Sequence, residues 1–175
     1  MSVEEKLHVL SERIKSHSSA MLTEEAVKTA IVLPFLSALE YDVFNPEEVI
    51  PEFCADAVGK KGEKVDYAIK LDGEIRILVE CKPITCNLDK THLAQLYRYF
   101  SVTNAKFAIL TNGRTFHFHT DLASPNRLDD RPFFSFDLSD LQAQMISDLK
   151  KSAKNEFDVD GILKTAHRLK YTSAI

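Results

Sequence analysis

The spacing of apolar residues along the chain predicts helices at both ends and strands in the middle. Apolar positions recur at helical intervals near the amino terminus and again in the last third of the sequence. In between, Val65, Tyr67, Ile69 and Leu71 alternate with polar or small residues, as in a half-buried strand. Helices are predicted over 3–15, 24–39, 88–100, 139–151 and 159–169, and strands over 49–53, 65–71, 75–81, 107–110, 115–119 and 133–136. This order predicts an α/β (α+β) fold, with one mixed sheet flanked by helices.

Turn and capping residues support these boundaries. Thr23 and Ser139 are typical helix N-caps, and each precedes a helical pattern. Pro34 is expected to bend the second helix, because proline cannot donate a backbone hydrogen bond. The pairs Asp72-Gly73 and Asn112-Gly113 are strong predictors of β-hairpin turns.

Composition indicates one soluble, cytoplasmic domain without a membrane segment. The 175 residues suit a single unit, 1–175, with an N-terminal helix 3–15, a core 23–120 and a C-terminal strand and helices over 132–171. The longest apolar stretch is too short to span a membrane, and three cysteines are an odd number for a disulfide framework. The net charge of −4 lacks the basic excess of most proteins that bind DNA on their own.

The chemistry of the chain centres on Asp66, Glu80 and Lys82. Two carboxylates can hold Mg²⁺, and Lys82 lies two residues after Glu80, on the same strand face. A divalent cation with a nearby ammonium group suits phosphodiester hydrolysis, because the cation polarises phosphate and acidifies water. Such trios also occur by chance at solvated strand ends. However, Glu80 follows an apolar run broken only by Arg76, and a charge inside a sheet needs a partner.

A metal site at Asp66 and Glu80 requires a particular geometry of the hairpin that joins their two strands. A regular two-residue turn at Asp72-Gly73 pairs Leu71 with Glu74 and sets Asp66 opposite Val79, so that Asp66 and Glu80 point to opposite faces. A three-residue loop, 72–74, or a bulge in either strand sets Asp66 opposite Glu80 instead. A metal site therefore predicts such a loop or bulge.

Other candidate clusters are weaker. His117 and His119 share a strand face, which is expected to be exposed. Cys81, Cys86 and His92 lack the paired cysteine spacing of zinc sites, and the backbone carbonyl of Cys81 is instead a candidate ligand of the Mg²⁺ site. Basic residues that could contact phosphate are Lys60, Lys61, Lys64, Lys90, Arg98 and Arg114.

Several short stretches, taken in order, resemble the amino-terminal nuclease domain of type I restriction enzyme R subunits, within the PD-(D/E)XK nuclease superfamily. The resemblance runs from about Thr23 to Tyr171. It implies a restriction-endonuclease-like fold with an α-β-β-β-α-β core. The stretches are Thr23-Glu24-Glu25-Ala26-Val27, 34–39 with 41–43, 49–53, Val65-Asp66-Tyr67-Ala68, Leu78-Val79-Glu80-Cys81-Lys82, Gln95-Leu96-Tyr97-Arg98-Tyr99 and Ile109-Leu110-Thr111-Asn112-Gly113.

The same resemblance implies roles for individual residues. Asp66 and Glu80 match the metal-binding acids, and Lys82 matches the catalytic lysine. A further acid belongs on the preceding helix, where Glu25 is preferred to Glu24. Gln95 and Tyr99 match a Gln-x-x-x-Tyr element, whose spacing places both on one helix face.

The expected activity is that of a Mg²⁺-dependent endonuclease on DNA, with Mn²⁺ able to substitute. The alternatives are a non-catalytic nucleic-acid-binding or assembly module on the same fold, and a phosphodiesterase acting on RNA or a nucleotide. The sequence contains no Gly-x-x-x-x-Gly-Lys-Ser/Thr phosphate loop, so ATP-driven movement would require restriction-modification or helicase-type partner subunits.

Overall fold

A computed structural model of the chain describes residues 1–55 and 63–173. The α-helices are α1 (Val3–His17), α2 (Glu24–Val27), α3 (Leu33–Ala38), α4 (Ala94–Val102), α5 (Ala143–Lys150) and α6 (Val159–Ser173). A π-helical turn, Lys28–Val32, joins α2 to α3, and short 3-10 turns cover Ser18–Ala20, Lys90–Leu93 and Lys154–Glu156. The strands are β1 (Val49–Phe53), β2 (Val65–Leu71), β3 (Glu74–Cys81), β4 (Phe107–Thr111), β5 (Thr115–His119) and β6 (Phe134–Asp137).

The six strands form one mixed sheet in chain order, β1-β2-β3-β4-β5-β6. Every neighbouring pair is antiparallel except β3 and β4, which are parallel. A parallel pair needs a crossover connection, and α4 supplies it. The predicted fold, a mixed sheet flanked by helices with an α-β-β-β-α-β core, is confirmed.

Apolar side chains cover the sheet in two clusters. The larger cluster joins alternate strand residues to helices α1, α3, α5 and α6, through residues such as Leu10, Phe35, Leu149 and Ile162. The smaller cluster joins the other strand residues, including Ala68 and Leu78, to α4. Burial on two sides explains why β4 is apolar from Phe107 to Leu110. No helix among the residues described is long and apolar enough to cross a membrane.

The hairpin between β2 and β3 contains the bulge that the metal hypothesis demands. Asp72 and Gly73 form a tight turn with positive φ angles of 52° and 81°, and Leu71 pairs with Glu74. The register then shifts, because Lys70 pairs with Ile75 whereas Ile69 pairs with Ile77. Arg76 is the extra residue. Beyond it Tyr67 pairs with Val79, and the continued register sets Asp66 opposite Glu80.

The helical segment before β1 carries an irregular turn. Thr23 caps α2 as predicted, since its Oγ1 accepts a hydrogen bond of 3.1 Å from the Ala26 N–H. A π-helical turn lies just before Pro34, where the sequence predicts a bend. Pro34 has no N–H to offer Ala30, and the guanidinium of Arg13 donates to the Ala30 carbonyl at 2.7 Å instead.

Two predicted helices begin later than expected. The helix predicted over 139–151 begins at Ala143, and Ser139 is not its cap. The Ser139 N–H and hydroxyl both donate to Oδ1 of Asp137, which closes a turn after β6. The helix predicted over 88–100 opens with a 3-10 turn, because Oδ1 of Asp89 accepts from the Thr91 N–H. Its α-helical part begins at Ala94.

Candidate active site

Two acidic side chains meet where β2 begins and β3 ends. Asp66 is the second residue of β2, and Glu80 is the last but one of β3. The bulge brings them to one face, and their carboxyl groups are hydrogen-bonded to each other. Glu80 is only 4% exposed. The structure therefore brings together the two acids that the sequence analysis singled out.

Asp66 is the ionised member of this acid pair. Its Oδ2 accepts a hydrogen bond of 2.7 Å from the Cys81 N–H, and its Oδ1 lies 2.8 Å from Lys28 Nζ. Burial on its own would raise the pKa of Asp66, but the hydrogen bonds from Glu80, Lys28 and Cys81 outweigh it and lower the pKa.

Glu80 is the protonated member. Burial, together with the hydrogen bond and negative charge of Asp66, raises the pKa of Glu80 to about 9, against the opposing charge of Lys82. Its Oε2 is buried and accepts no N–H or hydroxyl hydrogen bond from the residues described. Buried oxygens of this kind are rare in proteins, and this one belongs to a pair of hard oxygen donors. The arrangement suits a divalent cation.

Lys28, which the sequence analysis did not single out, completes the charge balance. Its side chain is 12% exposed, and its Nζ also lies 3.0 Å from Glu25 Oε1. Burial alone would lower the pKa of Lys28, but the bonds to Asp66 and Glu25 raise it above its ordinary value. Lys28 follows Glu24 and Glu25 by about one helical turn, so its helical spacing from the expected acid was the available clue.

The two candidate helix acids occupy different positions. The side chain of Glu25 is 81% exposed and binds Lys28, and it is not part of the acid pair. Glu24 is half-buried, and its negative charge contributes to raising the pKa of Glu80. The preferred candidate, Glu25, is thus connected to Asp66 only through Lys28.

Lys82 lies next to the acid pair with an available ammonium group. Its N–H donates to the Thr111 carbonyl at 2.8 Å, so its backbone is fixed to the end of β4. Its side chain is half-buried and forms no ion pair in the described part of the structure. Asn112 steadies the loop that follows, since its Nδ2 donates to the Cys86 carbonyl at 2.8 Å.

Gln95 and Tyr99 both lie on α4, but they do not contact the acid pair. Tyr99 is buried, and its hydroxyl donates to the Glu63 carbonyl at 2.6 Å. It thereby fixes the segment that leads into β2 and Asp66. Gln95 is half-buried one turn earlier on the helix.

The remaining candidate residues form no metal-binding cluster in the described part of the chain. Cys81 packs its side chain in the larger core, and burial raises the pKa of its thiol. Cys86 Sγ and His92 Nε2 lie 3.6 Å apart. No group of three or more His, Cys, Asp or Glu residues that could hold a metal occurs within 1–55 and 63–173. His119 is 1% exposed, so the prediction that it lies on an exposed face is wrong. Lys60 and Lys61 lie outside the described residues.

A family model described as type I restriction enzyme R protein N terminus (HSDR_N) matches residues 23–128. That is more than half of the chain. The chain belongs to this family. The match includes the acid pair, Lys28, Lys82, Gln95 and Tyr99, and it ends before β6, short of the expected limit near Tyr171.

One solved structure is similar to the chain along most of its length. It is a chain from the cryo-electron microscopy structure of the DrdV–DNA complex, with a TM-score of 0.54 and 18% sequence identity. The similarity covers 85% of this protein and 93% of that chain. At this identity it shows a shared fold. No curated protein matches the sequence.

Proposed function

We propose that this family member is a Mg²⁺-dependent endonuclease that hydrolyses DNA phosphodiester bonds with a PD-(D/E)XK active site. The observation that carries the proposal is the acid pair at the ends of β2 and β3. Asp66 and Glu80 share a hydrogen bond, and Glu80 has a buried oxygen that accepts no hydrogen bond from the residues described. Lys82 follows directly after the end of β3, and its positive charge acts on Glu80.

The donor set fits a hard divalent cation. Asp66 and Glu80 would hold it, with the Cys81 carbonyl as a further oxygen donor, and Mn²⁺ would substitute for Mg²⁺. When bound, the cation would polarise the phosphate and lower the pKa of a water molecule. Glu80 must first release the proton that it shares with Asp66, because a carboxylate binds a cation far better than a neutral acid.

The other residues act around this centre. The Lys82 ammonium is free to orient the attacking water or to stabilise charge on the phosphate oxygens. Tyr99 holds the segment before β2 through the Glu63 carbonyl, and it thereby positions Asp66. Gln95, one turn away on α4, is proposed to support Lys82 or to contact the substrate backbone.

DNA is the proposed substrate for two reasons. The family is named after restriction enzymes, and the similar solved chain comes from a complex described as containing DNA. Restriction-modification or helicase-type subunits are the proposed partners, because the family is described as the N terminus of a restriction enzyme R protein. Cys54, Cys81 and Cys86 are all free thiols, which suits the proposed cytoplasmic location.

Cleavage of supercoiled plasmid in Mn²⁺ or Mg²⁺ tests this proposal, with wild type beside Lys82→Ala. Wild type should nick or linearise the plasmid, and Lys82→Ala should be slower by on the order of 10²-fold. Lys106→Ala is the matched control, since the exposed side chain of Lys106 lies at the opposite end of β4. Equal cleavage by wild type, Lys82→Ala and Asp66→Ala would disprove the assignment.

A second candidate is a non-catalytic nucleic-acid-binding or assembly module. It is favoured by the net charge of −4 and by Lys28, whose ammonium group already balances the charge of Asp66. Binding of a ligand to the folded state raises the melting temperature. A folded protein that binds DNA, but shows no rise in melting temperature and no cleavage with Mn²⁺, would support the non-catalytic function.

A further inference from the structure

We propose that Lys28 is the counter-ion of Asp66 in the absence of a divalent cation. When a divalent cation binds Asp66, the Lys28 ammonium group moves away from it. This inference rests on the proposed function and extends it to a residue on the helical layer. Lys28 is a positioning residue that keeps Asp66 in place beside Glu80.

The hydrogen-bond partners of Asp66 differ in how readily a divalent cation could displace them. Its Oδ2 accepts from the Cys81 N–H at 2.7 Å, and that N–H belongs to the backbone of β3. Its Oδ1 is held by Lys28 Nζ at 2.8 Å. A backbone donor within the sheet cannot move without disturbing the strand, whereas a side chain can rotate away. Glu80, which also bonds to Asp66, is itself an expected ligand of the cation. The Lys28 ammonium is therefore the side-chain partner with which a cation competes at Oδ1.

Lys28 is suited to this exchange by its second partner. Its ammonium group also lies 3.0 Å from Oε1 of Glu25, whose side chain is 81% exposed. Lys28 can retain Glu25 when it leaves Asp66, so its charge is never left without a partner. A four-carbon flexible stem allows this small movement.

The charge balance explains why such a residue is needed. The side chain of Asp66 is only 14% exposed. A buried carboxylate without a nearby positive charge lowers the stability of the fold. Lys28 supplies one positive charge in the metal-free protein, and a divalent cation supplies it in the loaded one. The backbone of the helix can stay in place, because Val27 packs against the β4–β5 turn at Gly113.

Calorimetric titration of the full chain with Mn²⁺, at one pH and ionic strength, tests the inference on wild type, Lys28→Met and Lys15→Met. Lys15 is the matched control, because it forms the same type of ion pair with a glutamate three residues earlier, Glu12, at 3.1 Å, but contacts no strand carboxylate. Lys28→Met should bind Mn²⁺ at least about 3-fold more tightly than wild type. Lys15→Met should bind like wild type.

Lys28→Arg keeps the positive charge and provides a second variant if Lys28→Met does not fold. It should bind Mn²⁺ no more tightly than wild type. If wild type binds Mn²⁺ and Lys28→Met binds with equal or lower affinity, Lys28 is not the competitor and the inference fails alone. If neither protein binds Mn²⁺, the metal site fails and the inference fails with it.

Discussion

His117 and His119 show how two identical side chains, two residues apart on β5, acquire different environments. His117 is half-buried, whereas His119 is enclosed, with its Nδ1 3.0 Å from the carbonyl oxygen of Asp129. Asp129 belongs to the loop between β5 and β6. Strand alternation places both histidines on one face, but it does not reveal the path of that loop, and this is why the predicted exposure of His119 is wrong.

The enclosure of His119 predicts a loss of stability in acid. Burial lowers its pKa from 6.5 to about 4, although its hydrogen bond to the Asp129 carbonyl opposes the shift. Between about pH 6.5 and pH 4, the unfolded chain therefore binds a proton at His119 that the folded protein does not bind. His119 contributes stability that is fully present above pH 6.5 and is lost as the pH falls to about 4. The loss should reach up to about 3 kcal/mol in the free energy of unfolding.

Urea unfolding at several pH values between 7 and 4 measures this effect as a difference between wild type and His119→Asn. Asparagine can still donate to the Asp129 carbonyl, but it does not titrate. The variant should lose less stability than wild type as the pH falls. His17→Asn, at an exposed position, should keep the full wild-type pH dependence. Parallel curves for wild type and His119→Asn would exclude His119 as the source.

At the scale of elements, the strands are predicted more accurately than the helix starts. β2 and β5 have the predicted bounds, because both alternate between apolar and polar or small residues and each adjoins a hairpin turn. The helix after β6 begins four residues late, since Ser139 serves a turn with Asp137 that competes with helix capping. The bulge at Arg76 follows from a chemical requirement, that Asp66 and Glu80 share a face, and not from hydrophobic pattern.

Alanine should destabilise the protein to different extents at the two hairpin glycines. Gly73 and Gly113 have φ angles of 81° and 90°, so alanine is strained at both. A Cβ at Gly73 would meet nothing within 4 Å, whereas one at Gly113 would lie 2.9 Å from Cγ1 of the buried Val27. Gly73→Ala should therefore cost about 1 kcal/mol of stability, and Gly113→Ala about 2–4 kcal/mol.

Chemical denaturation of both glycine variants gives the comparison directly. Each serves as the control for the other, because the backbone strain is similar and only the clash with Val27 differs. Equal losses of stability would mean that the β4–β5 turn does not pack tightly on the helix.

At the scale of the whole molecule, the site draws on segments that are distant in sequence. Asp66, Glu80 and Lys82 were found because they are close to one another on a hairpin. Lys28 was missed because its contact with Asp66 depends on how the helical layer packs on the sheet. Asn112 was recognised only as a turn residue, although its side chain holds the Cys86 carbonyl. Contacts between layers are set by the complete core, which local patterns do not specify.

The acid pair predicts that stability and metal binding oppose each other in the intact protein. Glu80 has an ordinary pKa of 4.5, which burial and the neighbouring Asp66 raise to about 9. Its contribution to stability is full below pH 4.5 and is lost progressively as the pH rises to about 9, because the unfolded chain then releases a proton that the folded protein keeps. Without metal, Glu80→Gln should thus be more stable than wild type at pH 7–8, by about 1–3 kcal/mol.

Thermal and urea unfolding of wild type and Glu80→Gln, each with and without saturating Mn²⁺, tests this opposition. Glutamine can donate to Asp66 as the protonated acid does, but it cannot become a carboxylate. Mn²⁺ should therefore raise the melting temperature of wild type and leave Glu80→Gln almost unchanged, which reduces or reverses the difference between them. Glu47→Gln, at an exposed position, should behave like wild type in both conditions. If Glu80→Gln is less stable than wild type at pH 8 without metal, Glu80 is ionised in the folded protein, and the shared proton on which the acid pair depends is absent.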